Sequence, residues 1–253
     1  MDRRRAGLAI SLGAVLCLSA PAVADQLYAV DGKDSFIVGS RDVRSAIVYS
    51  GKETLSSVPA SGGTRFIVTV DYLRTDQGTQ ARAHARFVSL VKSSGEQHDE
   101  INGDPDYVSL LNQPFSIELD LPTMRDVARM TEPMPFSFVL PITGAPLNGW
   151  LRKTGDSYVA GERSLGIAFD AEGPVHGRLG NVGIALDGRI RLHGTAYYSY
   201  DTAILRALET RLTISGSLAD DRSHRPVTIT YWRSIRAIPA NPAKDASRPL
   251  GRN

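Results

Sequence analysis

Cysteine is almost absent from this chain. The only one among 253 residues is Cys17, so residues 25–253 can form no disulfide, no thiolate metal site and no cysteine nucleophile. Long apolar runs are missing too: after residue 24 no stretch approaches the 18 residues of a membrane-spanning helix, and we expect no transmembrane span. The fold must therefore depend on a water-excluding core alone.

A surplus of either charge is also missing once the first 24 residues are set aside. The chain has 29 Lys and Arg against 27 Asp and Glu; residues 1–24 hold three of these bases and one of these acids, which leaves 26 of each. A neutral chain has no long-range attraction for phosphate backbones, so we expect no nucleic-acid partner.

Residues 1–24 have the pattern of a secretory signal peptide. Three arginines, Arg3 to Arg5, precede a short apolar run, and Ala22-Val23-Ala24 has the small-x-small form of a cleavage site. We expect cleavage near Ala24 and export to the periplasm or the exterior. Leu16 precedes Cys17 where a lipoprotein leader would have a small residue, so lipidation is not expected.

Alternation of apolar and polar residues dominates the rest of the chain. It predicts strands with one buried and one wet face, hence antiparallel sheet. Gly, Asn and Asp pairs such as Asp76-Gln77-Gly78, Asn148-Gly149 and Asp187-Gly188 mark turns, the last being the strongest hairpin signal. The alternating runs are residues 64–74, 80–91, 115–121, 165–171, 190–200, 208–214 and 227–231.

The predicted fold is mainly β: a curved antiparallel sheet, sandwich-like or half-barrel-like, with one to three short helices. A short helix is expected at 123–130 with Thr123 as cap, another helical turn or two at 106–111, and a helical turn linking two strands at 201–207. Residues 25–238 form one β-rich domain, with the alternative that a proline-rich crossing joins two halves, 25–121 and 134–238. Residues 239–253 lack apolar content and are expected to be a disordered tail.

One short motif resembles a known catalytic block. Gly155-Asp156-Ser157-Tyr158 is similar to the Gly-Asp-Ser block of a class of secreted esterases, which would imply a nucleophilic Ser157. That class places the serine near the mature N-terminus, whereas here it is mid-chain, so a hairpin turn is the preferred interpretation and a serine hydrolase a remote alternative.

Metal and cofactor motifs are missing. The five histidines do not pair at i+2 or i+4, and no cofactor-binding motif occurs. The acidic run from Asp99 to Asp106 has oxygen ligands at alternate positions but Pro105 where a calcium loop needs glycine, so it is interpreted as a polar loop. Arginines interleaved with acids, among them Arg189, Arg191, Arg211 and Arg233, are assigned to the wet face.

Large aromatic side chains on the apolar face are the most suggestive feature. Tyrosine combines apolar area with a polar tip, which suits a pocket mouth. The favoured function is an exported, non-enzymatic binding or carrier protein for an apolar or amphiphilic small molecule, with the helix 123–131 or the loop 201–207 over the opening. Its predicted ligand-binding residues are Phe87, Phe169, Tyr198, Tyr200 and Tyr231.

The alternative is a structural or interaction protein of the cell envelope. It would dock a protein partner through a strand edge or through the aromatic group of Tyr197, Tyr198, Tyr200, Tyr231 and Trp232.

Overall fold

A computed structural model describes residues 10–11, 25–39, 43–61, 63–92, 97–102, 121–140, 145–179, 184–220 and 223–239. Almost all of them are in strands. The N-terminal strands are β1 (Ile10–Ser11), β2 (Gln26–Val38), β3 (Val43–Ala60), β4 (Gly63–Asp76), β5 (Thr79–Lys92) and β6 (Gln97–Asn102). After the helix α1 (Leu121–Arg129) come β7 (Met134–Leu140), β8 (Ala145–Val159), β9 (Glu162–Leu179), β10 (Ile184–Ser199), β11 (Leu205–Asp220) and β12 (Ser223–Ala237).

All the described strands belong to one open sheet, in the order β1-β7-β8-β9-β10-β11-β12-β2-β3-β4-β5-β6. Consecutive strands pair antiparallel within two meanders, β2–β6 and β7–β12. The meanders meet where β12 pairs with β2 over eleven residue pairs, from Val227–Val38 to Ala237–Tyr28. The two-residue β1, inside the expected signal peptide, pairs parallel with β7. The predicted fold class, a curved antiparallel sheet, is confirmed.

Alternation along each strand divides the sheet into an inner and an outer face. On β10 the inner residues Ile190, Leu192, Ala196 and Tyr198 are buried, and the interleaved Arg191 and His193 are exposed. The inner faces of both meanders contribute to one core cluster. A lone sheet can bury one face only by curving over it or by covering it with another element, and the described part of this chain does both.

Inward-facing glycines allow the sheet to curve. Gly194 lies on the inner face opposite Phe169 and Thr210, and a Cβ there would overlap the Glu209 carbonyl oxygen and the Phe169 ring. Gly188 and Gly216 face each other across β10 and β11, and a Cβ on either would overlap the neighbouring backbone. Only a residue without Cβ permits this closeness, which tightens the concave side of the sheet.

The connection from β6 to β7 joins the two ends of the sheet and carries α1. The helix buries Met124 and Val127 in the core, whereas Arg125 and Asp126 on its other side are exposed. Pro122 fits the first turn because amide protons there have no intrahelical acceptor, and Pro133 follows soon after the helix ends. The Lys153 ammonium of β8 donates to the Ala128 carbonyl at 2.7 Å, in the last turn of α1.

Several local predictions were wrong. Asp187-Gly188 and Asn148-Gly149 lie inside β10 and β8, because these glycines serve close packing rather than turns. Helix α1 begins two residues before the predicted cap Thr123 and includes Leu121, which was assigned to a strand. The helical turn predicted at 201–207 is shorter: residues 201–204 form a turn, with the Ser199 hydroxyl accepting from the amides of Asp201 and Thr202, and residues 205–207 already belong to β11.

The predicted acidic loop was wrong at its start, because Asp99 and Glu100 lie in β6. Other predictions lie outside the described residues: the strand at 115–120, the helix at 106–111, the acidic run beyond Asn102 and the tail from residue 240. No helix within the described ranges has the length and apolar character needed to cross a membrane.

The role of the inward glycines is testable by adding one methyl group. We expect Gly194→Ala to lower the free energy of unfolding by about 1–3 kcal/mol, because the new Cβ must displace backbone and the Phe169 ring. Gly177→Ala is the matched control, since nothing lies within 4 Å of a Cβ at that position of β9. Urea unfolding measures both; equal stability of the two variants would contradict the curvature argument.

Candidate functional site

The predicted ligand-binding residues are spread along the inner face. Phe169 and Tyr198 are buried in the core, and Tyr200 and Tyr231 are half-buried against it. Phe87 pairs with Val68 on β4, and its side chain lies outside the described residues. Tyr231 and Leu192 share one cross-strand row, and Tyr200 is eight residues beyond Leu192, about 27 Å of extended strand. The structure therefore places these rings on one surface rather than around one point.

Two tyrosines of the inner face, Tyr28 and Tyr198, are deeply buried. Burial raises the pKa of both the Tyr28 and Tyr198 phenols well above the usual range, and the Tyr28 hydroxyl donates to the Leu205 carbonyl at 2.9 Å. Both phenols therefore remain neutral and act as apolar surface with a hydrogen-bonding tip.

The other two rings occupy partly open positions. The Tyr200 hydroxyl donates to Asp156 Oδ1 at 2.6 Å, and the Arg163 guanidinium lies 4.9 Å from the Tyr200 ring centroid. Partial burial and this hydrogen bond raise the pKa of Tyr200 to about 12. Tyr231 packs edge-on against Phe36, with ring centroids 6.1 Å apart.

A buried ion pair lies among these rings. The Arg233 side chain, 1% exposed, donates to Asp34 across the β12–β2 seam, and its guanidinium lies 4.9 Å from the Tyr49 ring centroid. Gly32 provides the space, because a Cβ there would lie 3.0 Å from Arg233 Cδ. The assignment of Arg233 to the wet face was wrong: it shares the parity of Tyr231 and Ile235, and that signal was in the sequence.

Glu53 is the second ionisable residue at an inward position that the apolar pattern of the sequence did not reveal. It lies on β3 opposite Tyr28 and Val70, is 2% exposed, and its Oε2 has no hydrogen-bond partner. Burial raises the pKa of Glu53 to about 8, so the carboxyl holds its proton at neutral pH. The inner face thus combines apolar side chains with a few buried polar groups.

Arg206 is a third buried ionisable residue and lies at the start of β11. It is the extra residue of a bulge, since Ala207 pairs with Tyr197 and Leu205 with Tyr198. Its guanidinium donates to Gln26 Oε1 at 2.7 Å and lies 3.1 Å from Glu162 Oε1, which connects β11 to β2 and β9. The bulge leaves Arg206 without a residue directly opposite it on β10, and its buried side chain is held by Gln26 and Glu162.

In the esterase-like block, Ser157 lies far from the histidine that would have to act as its base, His224. Ser157 is exposed on β8, in the row of Ser164 and Ser199. The chain contains one Asp-x-x-His spacing, Asp221 to His224, but His224 shares the row of Ala219 and Ala185. Fourteen residues of β10, about 48 Å of strand, separate the two rows. Ser157 and His224 are therefore not a nucleophile–base pair.

Histidines near carboxylates lie on the exposed surface. His84 Nδ1 is 2.8 Å from Asp71 Oδ1, and His176 Nδ1 is 3.0 Å from Asp187 Oδ1. Within the described ranges no three His, Cys, Asp or Glu side chains gather as metal ligands.

Comparison with known proteins gives no family assignment: no protein-family model matches the chain, and no curated protein resembles it significantly.

Removing one partner of the buried ion pair should be costly. We expect Asp34→Ala to lower the free energy of unfolding by about 3–5 kcal/mol, because Arg233 is left charged in a dry environment. The double variant Asp34→Leu/Arg233→Met should recover much of this loss. Asp71→Ala, which breaks an exposed pair with His84, is the control and should change stability by less than about 1 kcal/mol. An equal effect of Asp34→Ala and Asp71→Ala would contradict the assignment.

Glu53 should make stability fall as pH rises. Its pKa is about 8 in the folded protein against 4.5 for a glutamate in water, so between these values the folded chain holds a proton that the unfolded chain has released. Each pH unit in that window then favours unfolding by up to about 1.4 kcal/mol, and the loss is complete above the folded pKa. We expect Glu53→Gln to flatten this slope in urea titrations from pH 4 to pH 9. The exposed Glu132→Gln should retain it, and identical slopes for the two variants would overturn the prediction.

Proposed function

We propose that the protein is exported and binds an apolar or amphiphilic small molecule on the inner face of its sheet, without catalysing a reaction. The observation that carries this proposal is the cover over that face. The segment joining the two edges of the sheet places α1 on the apolar core through Met124 and Val127. Export rests on the signal-peptide pattern of residues 1–24.

Ligand and helix compete for the same surface in this proposal. Met124 and Val127 fill apolar area that an acyl chain would otherwise cover, so a ligand enters only when α1 moves away. The gain is about 25 cal/mol per Å² of apolar area covered, less the cost of releasing the helix and of association. The Lys153–Ala128 hydrogen bond is exposed and can break with little cost.

The polar groups of the inner face support an amphiphilic ligand over a purely apolar one. Glu53 has an unpartnered oxygen beside Tyr28, and Tyr200 and Asp156 lie at the open end of the same face. A ligand with a long apolar part and a hydrogen-bonding head group would satisfy both kinds of surface.

The alternative, an envelope interaction protein, is favoured by one specific observation. Strand β8 carries two large exposed aromatic side chains, Trp150 at 54% and Tyr158 at 78% exposure. Exposed aromatics of this size are typical of contact surfaces.

Weakening the contact of α1 with the core should strengthen ligand binding. For the variant Met124→Ala/Val127→Ala we expect binding of the fluorescent fatty acid 11-(dansylamino)undecanoic acid to tighten by about tenfold, because the probe no longer competes with two buried side chains. Arg125→Ala/Asp126→Ala alters the exposed side of the same helix and should bind as the natural protein does.

Fluorescence titration measures affinity, and circular dichroism checks that each variant is folded. No probe binding by either the natural protein or the core-side variant would overturn the proposal, as would equal affinity of the two helix variants. In that case the interaction role is left as the better account.

A further inference from the structure

The outer face of β8–β12 carries a feature that inner-face binding does not use. An open depression of about 560 Å³ lies over β9, β10 and β11. Short hydroxyl side chains, Thr213 and Ser215, form one part of its lining, and the guanidinium groups of Arg189 and Arg191 form another. It lies on the side of the sheet opposite to the core, and Ile190 is the one apolar residue in its lining.

Two cross-strand ion pairs shape this depression. Arg189 NH2 lies 3.1 Å from Glu172 Oε1, and Arg191 NH2 lies 3.2 Å from Asp170 Oδ2. Both pairs link β10 to β9, so the long side chains are drawn towards β9 and away from Thr213 and Ser215 on β11. Each guanidinium still has other N–H donors and each carboxylate other lone pairs, so the pairs present donors and acceptors side by side.

An aromatic side chain stands at each end of the row that borders the depression. Residues directly opposite one another in an antiparallel sheet share a face, and the pairing runs Trp150, Asp170, His193, Arg211, Trp232. Trp150 is 54% exposed, and the Trp232 indole is held by its Nε1 donating to Glu209 Oε1 at 3.1 Å. These are the two tryptophans of the chain, four strand spacings or about 19 Å apart.

We propose that this outer surface, from Trp150 to Trp232 across the depression, is a binding site for a neutral oligosaccharide. A sugar ring has an apolar face of C–H groups that stacks on an indole and a rim of hydroxyls that bonds to carboxylates, guanidiniums and hydroxyl side chains. The surface offers both, and its span suits a short chain of linked pyranoses rather than one sugar.

Other ligand classes fit this surface less well. An acyl chain needs an enclosed apolar lining, whereas this depression is open and its lining residues are polar or charged except Ile190. An anionic polymer needs free positive charge, whereas Arg189 and Arg191 are each neutralised by an acid. A neutral, hydroxyl-rich ligand needs no free charge, so the two ion pairs do not weaken its binding. Its hydroxyls bond to the N–H donors and carboxylate lone pairs that the ion pairs do not use.

The test is calorimetric titration of the purified protein with cellotetraose, maltotetraose and tetra-N-acetylchitotetraose. We expect at least one tetrasaccharide to bind, its monosaccharide to bind far more weakly, and binding to shift the tryptophan emission, since both tryptophans are in the site. Trp150→Ala should weaken binding about tenfold, the loss expected for one stacking platform.

Tyr158→Ala is the matched control. It removes an exposed aromatic ring of the same strand that lies in the row of Arg163, away from the depression, and should leave the sugar affinity unchanged. Three outcomes would overturn the proposal: no tetrasaccharide binds, Trp150→Ala binds as tightly as the natural protein, or dextran sulfate binds while the neutral sugars do not.

Binding of the dansyl fatty acid should be the same in Trp150→Ala as in the natural protein. The sugar site and the inner-face function can therefore fail independently.

Discussion

The pairing of β12 with β2 is the constraint on which the molecule depends. It is the one place in the described sheet where strands far apart in the sequence pair antiparallel, and it turns two meanders into one surface. Three side-chain contacts tie β2 to the last strands: Arg233 with Asp34, Tyr28 with Leu205, and Arg206 with Gln26. These residues are about 180–200 positions apart in the chain. Contacts of such separation form late and slowly, because loop closure must precede any gain.

Local alternation predicted much of the fold. The runs at 165–171, 190–200, 208–214 and 227–231 have the buried and exposed sides that the structure gives them, because a pleated strand shows every second residue to the core. Strands β2 and β3 were missed, since Asp34, Glu53 and Gly51 break the apolar pattern at inward positions. Glycine punctuation misled as well: at Asp187-Gly188 and Asn148-Gly149 the missing Cβ serves curvature, which a turn signal does not distinguish.

The candidate site was less accessible to sequence reasoning. Aromatic residues of the inner face were identified by parity, but parity says nothing about position along a strand, so Tyr200 and Tyr231 were grouped although they are far apart. The buried positions of Arg233 and Arg206 depend on partners that lie on other strands, and the sequence alone does not show which residues these are. The outer-face row of Trp150, His193 and Trp232 likewise follows from register, which pairs five strands that the sequence presents separately.

The pairing of β12 with β2 also places the first and last long strands of the chain side by side. Ala237 pairs with Tyr28, and the Ile238 amide donates to the Leu27 carbonyl at 2.7 Å. A short linker from β12 to β2 would thus need almost no reach. The chain is suited to circular permutation, with new termini opened between β6 and α1 while every strand pairing of β2–β12 is kept. In such a permutant α1 would be joined covalently to β7 alone, whereas in the natural chain it is joined to both β6 and β7.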